Sequence, residues 1–201
     1  MSGKFITLEG MDGAGKSTHI ESIISHFQAK GYEVVSTREP GGTALGERLR
    51  EILLHVDMRA ETETLLMFAA RYEHIASVIL PALKRGAYVL SDRFTDATYA
   101  YQCGAKGVDI NKINTLETWV QGNLQPDLTL LFDVPVEVSL QRLSAARLPD
   151  KFERENADFF RKIRNAYLLR AKENPQRFIV IDANRPLEDV KKNVEEIILK
   201  L

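Results

Sequence analysis

Eight residues near the start of the chain, Gly10-Met11-Asp12-Gly13-Ala14-Gly15-Lys16-Ser17, fit the pattern GxxxxGKS in full. Such a stretch works only as a turn between a strand and a helix. Its glycines let backbone N–H groups converge on phosphate oxygens, and the helix that follows adds partial positive charge at its N-terminus. The flanks agree with that demand. Lys4 to Glu9 is rich in Phe, Ile and Leu and bounded by Gly3 and Gly10, as expected of a strand buried on both faces. Ser17 to Lys30 has helical spacing and stops at Gly31, a natural residue just past a helix end. The stretch of Gly10, Met11, Asp12, Gly13, Ala14, Gly15, Lys16, Ser17 and Thr18 is therefore expected to bind a nucleotide triphosphate, with Lys16 on the outer phosphates and Ser17 offering its hydroxyl to Mg²⁺.

The rest of the chain repeats the same alternation. Glu33 to Thr37 reads as a second strand, followed by helical patterns at Leu45 to His55 and Glu61 to Arg85, the latter with Leu65, Ala69, Tyr72, Ala76, Ile79 and Leu83 stepping by three and four. Further strands are expected at Tyr88 to Ser91, Leu128 to Val134 and Arg177 to Ile181, separated by helices at Ile110 to Leu124, Val136 to Ala145 and Asn156 to Glu173. A last helix carries Val190, Val194, Ile197 and Leu201. Short apolar strands separated by helices require long crossovers, so the fold class is α/β, a parallel sheet with helices on both faces. With 201 residues, 44% of them hydrophobic, and no internal repeat or linker, residues 1–201 form one expected domain. The polar, arginine-bearing stretch Ser144 to Glu155 is a candidate mobile loop.

Charge narrows the partners. Twenty-seven basic against 28 acidic residues leave a net charge of −1, so no global field attracts nucleic acid or an anionic membrane. The longest apolar run, about Leu65 to Ala70, falls short of the roughly 18 residues of a membrane helix, and no leader precedes the first strand. A soluble cytoplasmic protein is expected. Cys103, the single cysteine, cannot form an internal disulfide, and the four histidines lack metal-ligand spacing.

Strand ends in such a sheet face the ligand crevice. Arg38 follows strand two and Arg93 follows strand three, placed to hold a second phosphate against the donor at Lys16; the plainer alternative is salt bridges to Glu39 and Asp92. Asp92 is the first candidate to hold Mg²⁺ through water, with Asp133 as competitor. A GTPase is disfavoured, because Asn111-Lys112-Ile113-Asn114 lacks the aspartate that reads guanine. A kinase for another nucleoside monophosphate and a nucleotide-gated binding protein stay open as alternatives.

Several motifs together are specific: Asp12 inside the phosphate loop, Thr37-Arg38-Glu39-Pro40-Gly41-Gly42-Thr43, Phe68-Ala69-Ala70-Arg71, Asp92-Arg93-Phe94, Thr98-Tyr99-Ala100-Tyr101-Gln102, Pro126-Asp127-Leu128-Thr129 and Asp158-Phe159-Phe160. Through them the chain resembles the bacterial thymidylate kinases nearly end to end. The resemblance implies phosphoryl transfer from ATP to dTMP with Mg²⁺, a five-stranded sheet of the phosphate-loop NTPase type, a lid at about 144–155, and a homodimer. It assigns Asp12 to the acceptor's sugar hydroxyl and phosphate region, and Arg38 and Arg93 to its phosphate. Arg71, Thr98 and Gln102 are assigned to the thymine edge, and Tyr101 to exclusion of a ribose 2′-hydroxyl. Glu153 resembles the lid-end acid of the metal region; Arg142 and the Ala183-Asn184-Arg185 loop are placed at the adenine. Two departures stand out. The thymine-stacking Phe usually lies four residues before the arginine, where Met67 stands here and Phe68 follows, so either is a candidate. Some relatives carry a catalytic arginine directly after the loop acid, where this chain has Gly13, so that charge is expected from the lid, from Arg147 first and Lys151 second.

Overall fold

The computed structural model describes residues 3–144, 151–152 and 155–201. Five strands, β1 (Phe5–Glu9), β2 (Val34–Arg38), β3 (Tyr88–Asp92), β4 (Leu128–Asp133) and β5 (Phe178–Asp182), form one sheet in the order β2-β3-β1-β4-β5, and each neighbouring pair is parallel. The central strands are the most apolar. Phe5, Ile6 and Leu8 of β1 are buried with Val89, Leu90, Leu130, Leu131 and Phe132 of its neighbours, each such side chain worth about 1.5–3 kcal/mol when taken out of water. At the edge, Ile179 and Val180 of β5 stay partly exposed.

Helices α1 (Ser17–Ala29), α2 (Ala44–His55), α3 (Ala60–His74), α4 (Leu80–Lys84), α5 (Thr95–Thr98), α6 (Ile110–Gln121), α7 (Val136–Ser144), α8 (Ala157–Glu173) and α9 (Leu187–Ile198) surround the sheet. Local chemistry sets several of their starts. The Thr43 hydroxyl accepts from the Gly46 N–H at the start of α2, and the Asn156 side chain accepts from the Phe159 N–H at the start of α8. Strand and helix limits match the sequence expectations to within a few residues.

Two features differ from expectation. Between β3 and α6, where the spacing suggested no element, α5 runs directly into a π-helical stretch, Tyr99–Ala105. A second π-helical stretch, Ile75–Ile79, joins α3 to α4 in one helix from Ala60 to Lys84. The extra residue per turn shifts the apolar phase. Leu65, Ala69, Tyr72 and Ala76 face solvent, whereas Ile79, at the end of the π-helical stretch, falls out of phase with them and is fully buried. The inward face of α3 instead carries Glu63, Thr64, Phe68, Arg71 and His74, all buried. That 25-residue helix is long and apolar enough to cross a membrane by length and composition. Its buried ionic side chains, packed on the domain's own elements, mark it as a core helix.

The chain leaves β1 towards β2 and returns through β3, while β4 lies on the other side, so the strand order reverses beside β1. In open α/β sheets the ligand crevice lies at the carboxyl ends of the strands at such a point. Glu9, Asp92 and the loop from Gly10 to Lys16 meet there.

Candidate active site

Helix α1 begins at Ser17 without a side-chain cap, its Thr18 and His19 N–H groups donating back to the Gly15 and Lys16 carbonyls at 3.2 and 3.0 Å, and its N-terminal end faces the loop that would hold an anion. Gly10, Gly13 and Gly15 have φ of +137°, +76° and +92°, the left-handed region that glycine enters without strain. At Gly13 space is also short: a Cβ there would lie 2.6 Å from the Ser139 carbonyl oxygen, and the Ser139 hydroxyl donates to the Asp12 carbonyl at 2.6 Å. Helix α7 thus clamps the loop. The Lys16 ammonium folds back over it, donating to the Gly10 and Met11 carbonyls at 2.9 and 3.0 Å. Burial, then the Arg93 charge, hold its pKa below the ordinary lysine value, partly offset by Asp92, Asp12 and Glu9.

Arg93 is the hub. It is the described non-glycine residue with positive φ, at +70°, a conformation that costs roughly 1–2 kcal/mol and persists only where its surroundings enforce it. The enforcement is visible. The Arg93 N–H donates to the Leu8 carbonyl, its carbonyl accepts from Ser91, and the next N–H, that of Phe94, donates to the Glu9 carboxyl at 2.7 Å. The guanidinium donates to Asp12 at 2.7 Å, to the Gly10 carbonyl at 3.0 Å and to the Tyr101 and Tyr167 hydroxyls at 3.1 Å each. Tyr101 in turn donates to the second Asp12 oxygen at 2.8 Å. Burial disfavours the Asp12 anion, but Arg93, Lys16 and Tyr101 outweigh it and hold its pKa at about 2. Glu9 shows the opposite balance. Burial, reinforced by Asp96, pushes its carboxyl up to about 8 despite the nearby Arg93 and the Tyr167 hydrogen bond.

Beside this hub opens a cleft lined by both polar and apolar side chains, the mixture typical of small-molecule sites. Asp12 and Arg93 stand at one end, and Met67, Arg71, Thr98, Tyr101 and Gln102 line it. Arg71 is 2% exposed and tightly held. Its Nε donates to Glu39 at 2.7 Å and one terminal nitrogen to Thr98 at 3.0 Å and the Phe94 carbonyl at 3.3 Å. The other terminal nitrogen, Nη1, is buried with no hydrogen-bond partner among the described residues. A buried guanidinium nitrogen left unpaired is costly, so its place in the wall of a cleft points to a ligand acceptor. The Phe68 ring lies under the same guanidinium, 4.7 Å from its carbon, within the core formed with Tyr99, Val108 and Ile113. Of the two candidates for stacking, Met67 lines the cleft, and Phe68 is turned away because its position shares the inward face of α3.

Other expected residues are placed with less convergence. Arg38 is half exposed and pairs with Glu47 at 2.7 Å, not with Glu39, and it is absent from the cleft wall. Arg93 likewise bridges to Asp12 rather than Asp92. One Asp92 oxygen, Oδ1, is buried and unpartnered among the described residues, whereas the competitor Asp133 is held by Arg164 at 2.7 and 2.8 Å. Arg142 spans the loop and the Ala183 carbonyl, donating to Gly13 at 3.4 Å and Ala183 at 3.2 Å. Lys151 pairs with Glu63 at 2.9 Å on the acceptor side. Arg147, Glu153 and most of the expected lid lie outside the described residues.

Glu9, Glu39 and His74 received no site role from the sequence, although Glu39 stood in the motif after strand two. His74 links Glu39 at 2.9 Å to Thr37 at 2.6 Å and is fully buried, so the triad that anchors Arg71 comes from two elements far apart in sequence. The available signals were Glu9, an acid closing an otherwise apolar strand, and the placement of Glu39 within the motif after strand two.

The sequence model of the family described as thymidylate kinase matches residues 8–194. The thymidylate kinase of Methylobacillus flagellatus is 70% identical over 197 residues, covering 98% of this chain and 97% of that protein. That of Cupriavidus necator is 60% identical over 200 residues, with 98% of each covered. Among solved structures, the thymidylate kinase from Ehrlichia chaffeensis superposes with a TM-score of 0.79 at 31% identity, covering 98% of this chain and 99% of that one.

Proposed function

This chain belongs to the thymidylate kinase family and phosphorylates dTMP to dTDP with ATP as donor, and on that premise we propose how its residues divide the work. The observation that carries the assignment is the unpaired Arg71 nitrogen in a cleft whose other end holds Arg93 and Asp12 beside the phosphate loop. Donor and acceptor phosphates would meet at that end.

ATP lies along Gly10 to Thr18 with its adenine towards Arg142 and Ala183. Its phosphates replace the Gly10 and Met11 carbonyls as partners of Lys16. The dTMP phosphate draws on Arg93, and on Arg38 once that side chain leaves Glu47. Thymine lies against Met67, its edge read by Arg71, Thr98 and Gln102, and the Tyr101 ring fills the space of a 2′-hydroxyl. Positioned charge on the transferring phosphoryl is what such sites chiefly supply. Since the loop position after Asp12 is Gly13, Arg147 and Lys151 are the proposed source of the lid charge. Lys151 would have to exchange Glu63 for the phosphoryl group.

Mg²⁺ fits the residues present. Asp92 offers a buried unpartnered oxygen, and Ser17 an exposed hydroxyl at the start of α1. Magnesium keeps several waters and takes substrate phosphates as ligands, so these two protein oxygens are the share this chain would contribute. Bound there, it would neutralise charge on the phosphates; Glu153 is a further proposed contributor. The solvent-facing apolar stripe of α3, with Leu65 and Tyr72 each 56% exposed, supports a homodimer through this helix. A single cytoplasmic domain without nucleic-acid or membrane partners completes the proposal.

ADP release measured with and without dTMP, across a panel of nucleoside monophosphates, tests the reading. Turnover should require dTMP, and Arg71→Ala should raise the KM for dTMP far more than that for ATP. Acceptor-independent turnover, or a rise confined to the ATP constant, would overturn it.

A further inference from the structure

Beneath the cleft floor lies a buried carboxylate that the division of roles above leaves unused. Glu63 of α3 is 0% exposed. Both its oxygens accept from the Lys106 ammonium at 2.8 Å, one pairs with Lys151 at 2.9 Å, and one accepts from the Gln102 side-chain amide nitrogen at 2.9 Å. Burial pushes the Glu63 pKa up, but the bonds from Lys106, Gln102 and Lys151 prevail and keep it below the ordinary value. It is therefore ionised at neutral pH, and an ionised carboxylate only accepts.

From this geometry we infer that Glu63 is a specificity-positioning residue: it holds the Gln102 amide with its NH₂ turned inward, so that the carbonyl oxygen is what Gln102 presents to the acceptor base. Without Glu63, the amide could turn over and offer a donor instead, since its two ends are nearly the same shape. The second half of the pattern is Arg71. Its Nε and Nη2 are committed to Glu39, Thr98 and the Phe94 carbonyl, leaving Nη1 as the donor towards the cleft. One donor beside one acceptor complements a base edge carrying a carbonyl next to a ring N–H, the C4 carbonyl and N3–H of a thymine or uracil. A cytosine edge reverses both atoms, placing an amino group against Arg71 and a bare ring nitrogen against the Gln102 oxygen. Mispairing at two buried polar groups rejects a substrate far more strongly than a missing methyl group does. Glu63 touches no substrate and acts through Gln102.

The inference rests on dTMP as acceptor. Its probe is the pair dTMP and 5-methyl-dCMP, which share sugar, phosphate and methyl group and differ only at the edge in question. For wild type, Glu63→Gln, Gln102→Leu and the double variant, kcat/KM is measured for both acceptors, with the KM for ATP as reference. A neutral amide at position 63 can donate as well as accept, so Glu63→Gln should narrow the ratio between the two acceptors about tenfold or more, the size of one net hydrogen bond, while the ATP constant stays put. In the Gln102→Leu background the same change should narrow the ratio no further. A ratio in Glu63→Gln equal to wild type, even with both rates lowered together, overturns the inference, because that is what a purely structural role gives. If Glu63→Gln does not fold, discrimination unchanged in Gln102→Leu overturns it as well. Failure of wild type to turn over dTMP would instead refute the proposed function itself.

Discussion

Tyr101→Phe separates two jobs that one side chain performs. The ring packs edge-on against Phe152, Phe159 and Tyr167 at 5.9 to 6.4 Å, while the hydroxyl donates to Asp12 at 2.8 Å and accepts from Arg93 at 3.1 Å. Removing only the oxygen deletes two hydrogen bonds to charged partners, each kind of bond worth roughly 1.5–3 kcal/mol. Two circumstances keep the loss near the lower limit: Arg93 and Asp12 still hold each other at 2.7 Å, and the Asp12 side chain is 30% exposed, so water reaches its freed oxygen. A destabilisation of about 1.5 kcal/mol follows, or about 3–6 °C in Tm for a domain of this size. The variant Tyr101→Ala also loses the ring, at a cost of roughly 3–5 kcal/mol. Thermal melts give the stabilities, and steady-state rates with dTMP and its ribose counterpart give the sugar preference. Tyr101→Phe should keep that preference, because the ring volume is unchanged, whereas Tyr101→Ala should narrow it. Loss of preference in Tyr101→Phe would show that the hydroxyl, not the ring, excludes the 2′-hydroxyl, and would refute the packing argument.

Other expectations are shorter to state. Lys16→Ala should nearly abolish turnover with little change in the melt, since among the described residues the ammonium's hydrogen bonds go to loop carbonyls; near-normal activity would contradict its phosphate role. Because the Glu9 carboxyl is raised to about 8 from its ordinary 4.5, the folded chain keeps a proton that the unfolded chain releases, so this group's stabilising contribution is full below pH 4.5 and is lost as pH rises through about 8. Urea titrations across that window should show Glu9→Gln less sensitive to rising pH than wild type; parallel curves would count against the assignment. Arg147→Ala combined with Lys151→Ala should depress kcat strongly and dTMP binding little, and a wild-type kcat in the double variant would remove the lid as the source of the catalytic charge.

The phosphate loop and the alternation of strand and helix were legible because both are local. A GxxxxGKS turn needs its glycines where φ is positive, and buried parallel strands need unbroken apolar runs, whatever lies elsewhere. Arg71, Arg93, Thr98, Tyr101 and Gln102 were also named from motifs, but their states were not. Which of Met67 and Phe68 lines the cleft depended on the turn of α3, and the expected apolar stripe from Leu65 to Ala76 faces outward, with a π-helical stretch setting Ile79 out of phase with it. Charge pairing was similarly hidden. Neighbours in sequence suggested Arg38 with Glu39 and Arg93 with Asp92, yet the fold pairs Arg38 with Glu47 and Arg93 with Asp12. The parallel sheet brings β3 and the loop after β1 together across some eighty residues of chain for the Arg93–Asp12 pair, while the Arg38–Glu47 pair leaves Glu39 to Arg71 and His74 of α3. Sequence fixes which groups are available, but partnership in a low-dielectric interior is decided by distance in space, to which spacing along the chain is a poor guide.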